Sequence, residues 1–155
     1  MFNELIVSYT IDELNFNKLQ SLTDFNSECQ YMRKTLVLGA SLKPSRYSHI
    51  TVRRLVNAKK ETTAFGLLAG SISGVQVQTD FSAIKDVHTV TLYVNPMHQK
   101  EYYDRIVKLQ PKRVIFNPGT ENPEFYKLLK QEGINAEVAC TLVLLATEQY
   151  DKGLA

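Results

Sequence analysis

Four apolar or β-branched residues in succession, Thr35 to Leu38, are followed at once by the small residues Gly39, Ala40 and Ser41. An unbroken apolar run of that length suits a parallel strand covered on both faces, not one alternating between core and solvent. Comparable runs recur at Thr62 to Leu67, Thr89 to Val94, Arg113 to Phe116 and Ile134 to Cys140, which predicts five strands. Between them the apolar residues fall at helical spacing: Ile50, Val52, Leu55 and Val56 within Ser48 to Ala58, and Tyr102, Tyr103, Ile106, Val107 and Leu109 within Met97 to Leu109. Asn122-Pro123-Glu124 reads as a cap followed by proline in the first turn, Gly133 as the stop, and Thr141 to Tyr150 as a final apolar helix. Gly70 to Gly74 reads as a turn, Val75 to Val77 as a short extended piece and Ser82 to Lys85 as a brief helical turn. Strand and helix alternate, which predicts an α/β domain of three layers around a mainly parallel five-stranded sheet.

The first 31 residues break this pattern. They carry five acids against Lys18 alone, so this segment holds −4 and the remainder +6 of the net +2. The expectation is a weakly structured N-terminal extension over 1–31, with a short helix at Asp12 to Leu22, and one domain over 32–155. Met32 is a candidate true start. The extension lacks the positive start and long apolar stretch of a secretory signal. At 155 residues the chain fits one full α/β core but not two. A charge this small gives no case for nucleic acid, and no run approaches the roughly 18 apolar residues of a membrane span. Cys29 and Cys140 lack metal-type spacing, so no metal site is expected and a reducing cytoplasm is the default compartment.

Strand ends carry the candidate chemistry. Gly39 permits a sharp turn, Ala40 and Ser41 let a ligand approach the backbone, and the next helix points its unpaired N–H groups into the same space. Phosphate binds well in such a place. This is not the dinucleotide fingerprint, which would put glycine where Ser41 and Pro44 stand; nor does the second strand end in a carboxylate for a ribose. The remaining ends are Phe65-Gly66-Leu67, Tyr93-Val94-Asn95-Pro96, Asn117-Pro118-Gly119-Thr120-Glu121 and Cys140-Thr141, each with a small or turn-making residue.

The runs K-T-L-V-L-G-A-S-x-x-P-x-R-Y-S, T-V-T-L-Y-x-x-P, P-K-R-V-I-F-N-P-G-T-E-N-P-E and A-C-T-L-V, in that order, resemble the small stand-alone CoA-binding proteins. These are similar to the CoA-binding domain of the succinyl-CoA ligase α subunit. The resemblance spans roughly Met32 to Tyr150 and implies a Rossmann-like domain holding CoA or an acyl-CoA across the strand ends. On this chain it implies that Gly39, Ala40 and Ser41 line the diphosphate, with Lys43 and Arg46 as cations and Tyr47 and Ser48 as added donors. It implies that Phe65 and Gly66 border the adenosine, Asn95 and Pro96 the other wall, and Asn117 and Pro118 the rim. Two departures stand out: Ala64 where relatives carry a proline in the second strand, and Leu68 where they carry a basic residue just beyond it.

No catalytic constellation accompanies these motifs. His49, His88 and His98 have no Ser, Cys or Asp partner at suggestive spacing, and Glu121 has no second carboxylate with which to split acid and base roles. The expected function is a non-catalytic module that binds or senses CoA; the alternative is a small enzyme of CoA-linked acyl transfer or redox chemistry working with a partner chain. Oligomer formation or a partner protein is compatible with either.

Overall fold

The structure, a computed structural model, describes residues 33–152. The acidic extension, its candidate helix and the Met32 start lie outside the described residues. The strands are β1 (Thr35–Leu38), β2 (Thr62–Phe65), β3 (Gly70–Ile72), β4 (Val75–Gln78), β5 (Thr89–Leu92), β6 (Arg113–Phe116) and β7 (Asn135–Val138). The helices are α1 (Tyr47–Asn57), α2 (Tyr103–Leu109), α3 (Pro123–Gln131) and α4 (Thr141–Ala146), with 3₁₀ turns at Phe81–Ala83 and Pro96–Tyr102.

Among the described residues the sheet has seven strands in the order β3-β4-β2-β1-β5-β6-β7, parallel except for the β3–β4 pairing. The Rossmann-like α/β class holds; the count of five strands does not. The segment taken as a turn, Gly70 to Gly74, is instead half a hairpin. Ser73 and Gly74 both have positive φ, 49° and 84°, the backbone of a tight turn whose twist matches antiparallel strands. β3 and β4 are three and four residues long, too short for a clear period-two signal.

Within the central strands, side chains alternate between two cores. Leu36, Leu38, Val90, Leu92, Val114 and Phe116 point to one face and meet Ile106 of α2 with Phe125 and Leu129 of α3. Val37, Ala64 and Ile115 point to the other and meet Val52 and Leu55 of α1, with Leu144 and Leu145 of α4 packed alongside. That second face also buries Thr35, Thr89 and Thr91, and each hydroxyl is partnered: Thr35 with the Tyr150 hydroxyl at 2.6 Å, Thr89 with Arg113 Nε at 3.1 Å, Thr91 with Thr141 at 2.8 Å. A parallel sheet covered on both sides tolerates these polar groups because none is left unsatisfied.

At the amino ends of the strands Arg113 is 2% exposed. Its guanidinium donates to Thr89, to Glu137 Oε2 at 3.1 Å and to the Tyr150 carbonyl at 2.7 Å, and it lies 4.6 Å from the centre of the Tyr150 ring. The final helix, predicted to run to Tyr150, therefore stops at Ala146, and the chain folds back so that Tyr150 closes the sheet's underside. No helix among the described residues is long and apolar enough to cross a membrane.

Arg113→Ala leaves Tyr150 and Glu137 without their buried partner, and the expected loss is on the order of 3 kcal/mol in urea unfolding; an unchanged midpoint would sink this account of the underside. His88, beside Arg113, has its pKa pushed below the ordinary 6.5 by burial first, then by Arg113, Arg33 and Lys112. The unfolded chain therefore binds the proton more readily, and stability falls as pH drops below about 6.5. His88→Asn should flatten that acid limb in melting curves taken across pH; an identical limb in the variant would argue against it.

Candidate functional site

A cleft of about 660 Å³ opens at the carboxyl ends of β1, β2 and β5. Its walls are the β1–α1 segment, the residues just after β2, and the 3₁₀ turn after β5. β1 lies between β2 and β5, so the chain switches here from building one half of the sheet to the other. Open parallel sheets bind ligands at such a switch.

The floor is fixed by close backbone approach. Gly39 has φ +93°, and a Cβ there would lie 3.0 Å from the Tyr93 carbonyl carbon. A Cβ on Gly66 would lie 2.2 Å from the Ala40 carbonyl oxygen. The Phe65 carbonyl accepts the N–H of both Gly39 and Ala40, at 3.0 and 2.9 Å. Ser41 is tied to the helix: its N–H donates to Ser48 Oγ at 3.1 Å, and His49 Nδ1–H donates to its carbonyl at 3.1 Å. The Lys43 N–H donates to Ser41 Oγ at 3.2 Å.

These bonds change which groups are left for an anion. The N–H groups of Gly39, Ala40 and Ser41 are engaged within the protein. The first-turn N–H groups of α1, at Tyr47, Ser48 and His49, have no helical acceptor behind them. Arg46 is the N-cap in extended conformation without a side-chain cap bond, and the first turn contains no acid. Lys43, Arg46 and Tyr47 are exposed at the mouth, which makes this end of the cleft electropositive.

The opposite wall is aromatic. Phe65 packs edge-on against Phe81 and Tyr102, with ring centres 5.1 and 6.0 Å apart. Tyr93 lies deeper, its hydroxyl hydrogen-bonded to Thr51 Oγ1. Burial pushes the Tyr93 phenol up to about 12, against a smaller opposing effect of the Thr51 bond. It therefore remains protonated at neutral pH.

Nine of the sequence-predicted residues come together around this cleft: Gly39, Ala40, Ser41, Lys43, Arg46, Tyr47, Ser48, Phe65 and Gly66. The other four do not line it. Asn95 accepts the Met97 N–H and starts the 3₁₀ turn with Pro96. Asn117 is buried: its amide donates to Thr91 Oγ1 at 2.8 Å and the Leu92 carbonyl at 3.0 Å, and its oxygen accepts the Thr141 N–H at 2.8 Å. It ties β5 to the start of α4 and is spent on the fold. Pro118 follows it at the end of β6, one strand beyond the switch point.

Leu42, Leu67, Leu68, Tyr93, Val94, His98, Glu101 and Tyr102 also line the cleft. His98 and Glu101 are three apart, which a 3₁₀ turn of three residues places on one side. The sequence pattern there predicts one continuous helix. The 3₁₀ segment instead seats Gln99 inside, where its Nε2 donates to the Val94 and Thr120 carbonyls at 2.9 and 2.8 Å. Among the described residues no group of three or more His, Cys, Asp or Glu could hold a metal ion.

The model of the CoA binding domain family matches residues 33–146. The chain belongs to that family. One solved structure, the crystal structure of an uncharacterized protein, is 42% identical, with 76% of this chain and 98% of that chain covered at a TM-score of 0.73. A conserved hypothetical protein from Pyrococcus furiosus is 25% identical, covering 72% of this chain and 97% of its own at a TM-score of 0.63. The dinucleotide-forming acetyl-coenzyme A synthetase 1 of Ca. Korarchaeum cryptofilum, in complex with phosphate and ADP, shares the fold at 18% identity and a TM-score of 0.58. The match covers 70% of this chain and 25% of that enzyme. No curated protein matches the chain.

Gly66→Ala forces a methyl group against the Ala40 carbonyl, backbone that has no rotamer to escape into. The expected cost is about 2 kcal/mol or more in denaturant unfolding, and a variant as stable as the parent would show that the β1–β2 crossing has slack.

Proposed function

We propose that this protein is a binding or sensing module for CoA or an acyl-CoA, with no catalysis of its own. The ligand's diphosphate lies at the start of α1, and its adenosine runs toward the end of β2. The observation that supports this reading is the convergence of Lys43 and Arg46 with the uncapped first turn of an 11-residue helix, all at one end of the cleft. Charge-assisted bonds from a guanidinium and aligned N–H groups suit a pyrophosphate. Membership of the CoA binding domain family supports the choice of ligand. A role without catalysis is supported by the groups facing the cleft: Tyr93 holds its proton, and the lining residues carry one carboxylate, Glu101, and one histidine, His98, on the same 3₁₀ turn.

CoA should raise the melting temperature of the protein, and at about 100 times its Kd it should add about 2.7 kcal/mol of stability. NAD should shift it little. Arg46→Ala, at an exposed position, should keep the parent fold and weaken CoA binding by about tenfold in calorimetric titration. A melting temperature indifferent to CoA, or raised by NAD instead, would refute the reading.

A further inference from the structure

The cleft is electrostatically lopsided. Its cations, Lys43 and Arg46, both belong to the β1–α1 segment, while the lip where β2 ends consists of Leu67 and Leu68. These leucines are 89% and 69% exposed. In nucleotide-binding parallel sheets the end of the second strand reads the ribose: a carboxylate there takes the hydroxyls, and a cation takes a phosphate on the ring. Leu67 and Leu68 can do neither.

The lip is also held at both ends. Gly66 is pressed on the Ala40 carbonyl and its N–H donates to the Gln78 carbonyl at 3.0 Å. Gly70 sits so close to Leu42 that a Cβ there would lie 2.7 Å from its methyl carbons. The three residues between, Leu67 to Ala69, start and end at these close contacts, and Leu67 and Leu68 present apolar surface to that end of the cleft.

We propose that the site does not read the phosphate on the ligand's ribose, so that it accepts 3′-dephospho-CoA as readily as CoA, and that Leu68 is the residue that sets this indifference. The inference rests on the CoA reading above and adds its specificity. The diphosphate supplies the anionic contact through Lys43 and Arg46, and the adenosine is covered by apolar contact with the lip.

Isothermal titration of the full chain with CoA and with 3′-dephospho-CoA, for the parent and for Leu68→Arg, tests it. The parent should bind the two within about threefold of each other. Leu68→Arg should tighten CoA by about tenfold, the effect of one charge-assisted phosphate contact, and leave 3′-dephospho-CoA unchanged. A parent preference for CoA above about tenfold overturns the inference and leaves the CoA reading intact, because Lys43 or Arg46 would then reach the ribose phosphate. Equal tightening of both ligands by Leu68→Arg also overturns it. If neither ligand binds the parent, the CoA reading falls and this inference with it.

Discussion

The carbonyl of Phe65 accepts two N–H groups, those of Gly39 and Ala40, while the carbonyl of Ala40 rests against Gly66 where no side chain fits. This interlock joins the ends of β1 and β2 and sets everything above it. It consumes the N–H groups of Gly39 and Ala40, so an anion must look to the start of α1 and to the side chains of Lys43 and Arg46. It also fixes where Leu67 and Leu68 emerge, because the chain leaves Gly66 in one direction only. The two parallel strand ends stay in close backbone contact, and the cleft is lined by the residues that follow them.

The same sheet is organised by side-chain polarity on one of its faces. Thr35, Thr89 and Thr91 point toward α1 and α4, and their partners come from distant parts of the chain: Tyr150, Arg113, and Thr141 with Asn117. Each pairing recruits an element that apolar packing alone would leave loosely specified. Asn117 fixes the start of the short helix α4, and Arg113 fixes the return of Tyr150 after it. Hydrophobic contact drives the layers together without direction; the buried hydrogen bonds decide which registers are allowed, since an unpartnered group there is costly.

The central strands were legible because they are continuous apolar runs, and the helices because their apolar residues repeat every three or four. The edge hairpin was not, because Gly70 to Ile72 carries one buried side chain and a strand that short has no period. For the site, the β1–α1 motif located seven lining residues and the end of β2 two more, since a strand followed by small residues and a helix has one geometry. The wall after β5 was harder to read. Asn95 and Pro96 are turn residues and were natural candidates, yet they serve the 3₁₀ turn that carries His98 and Glu101 to the cleft instead. Asn117 shows the opposite limit: a polar residue at a strand end has the same appearance in sequence whether it faces a ligand or braces a helix.

The chemistry open to the cleft follows from what each group is already doing. The Tyr93 hydroxyl is committed to Thr51 and keeps its proton to about 12, so it can accept or donate a hydrogen bond but not act as a base at neutral pH. The His49 ring nitrogen Nδ1 is held by the Ser41 carbonyl, which fixes that side chain as a brace for the loop. Acid–base catalysis needs two titratable groups whose environments pull their proton affinities apart across one substrate. Around this cleft the cations stand on the β1–α1 segment, the leucine lip follows β2, and His98 and Glu101 stand on the wall after β5. In the proposed reading the cations take the ligand's diphosphate and the leucine lip covers its adenosine, so the proposed selectivity lies in where the charges stop.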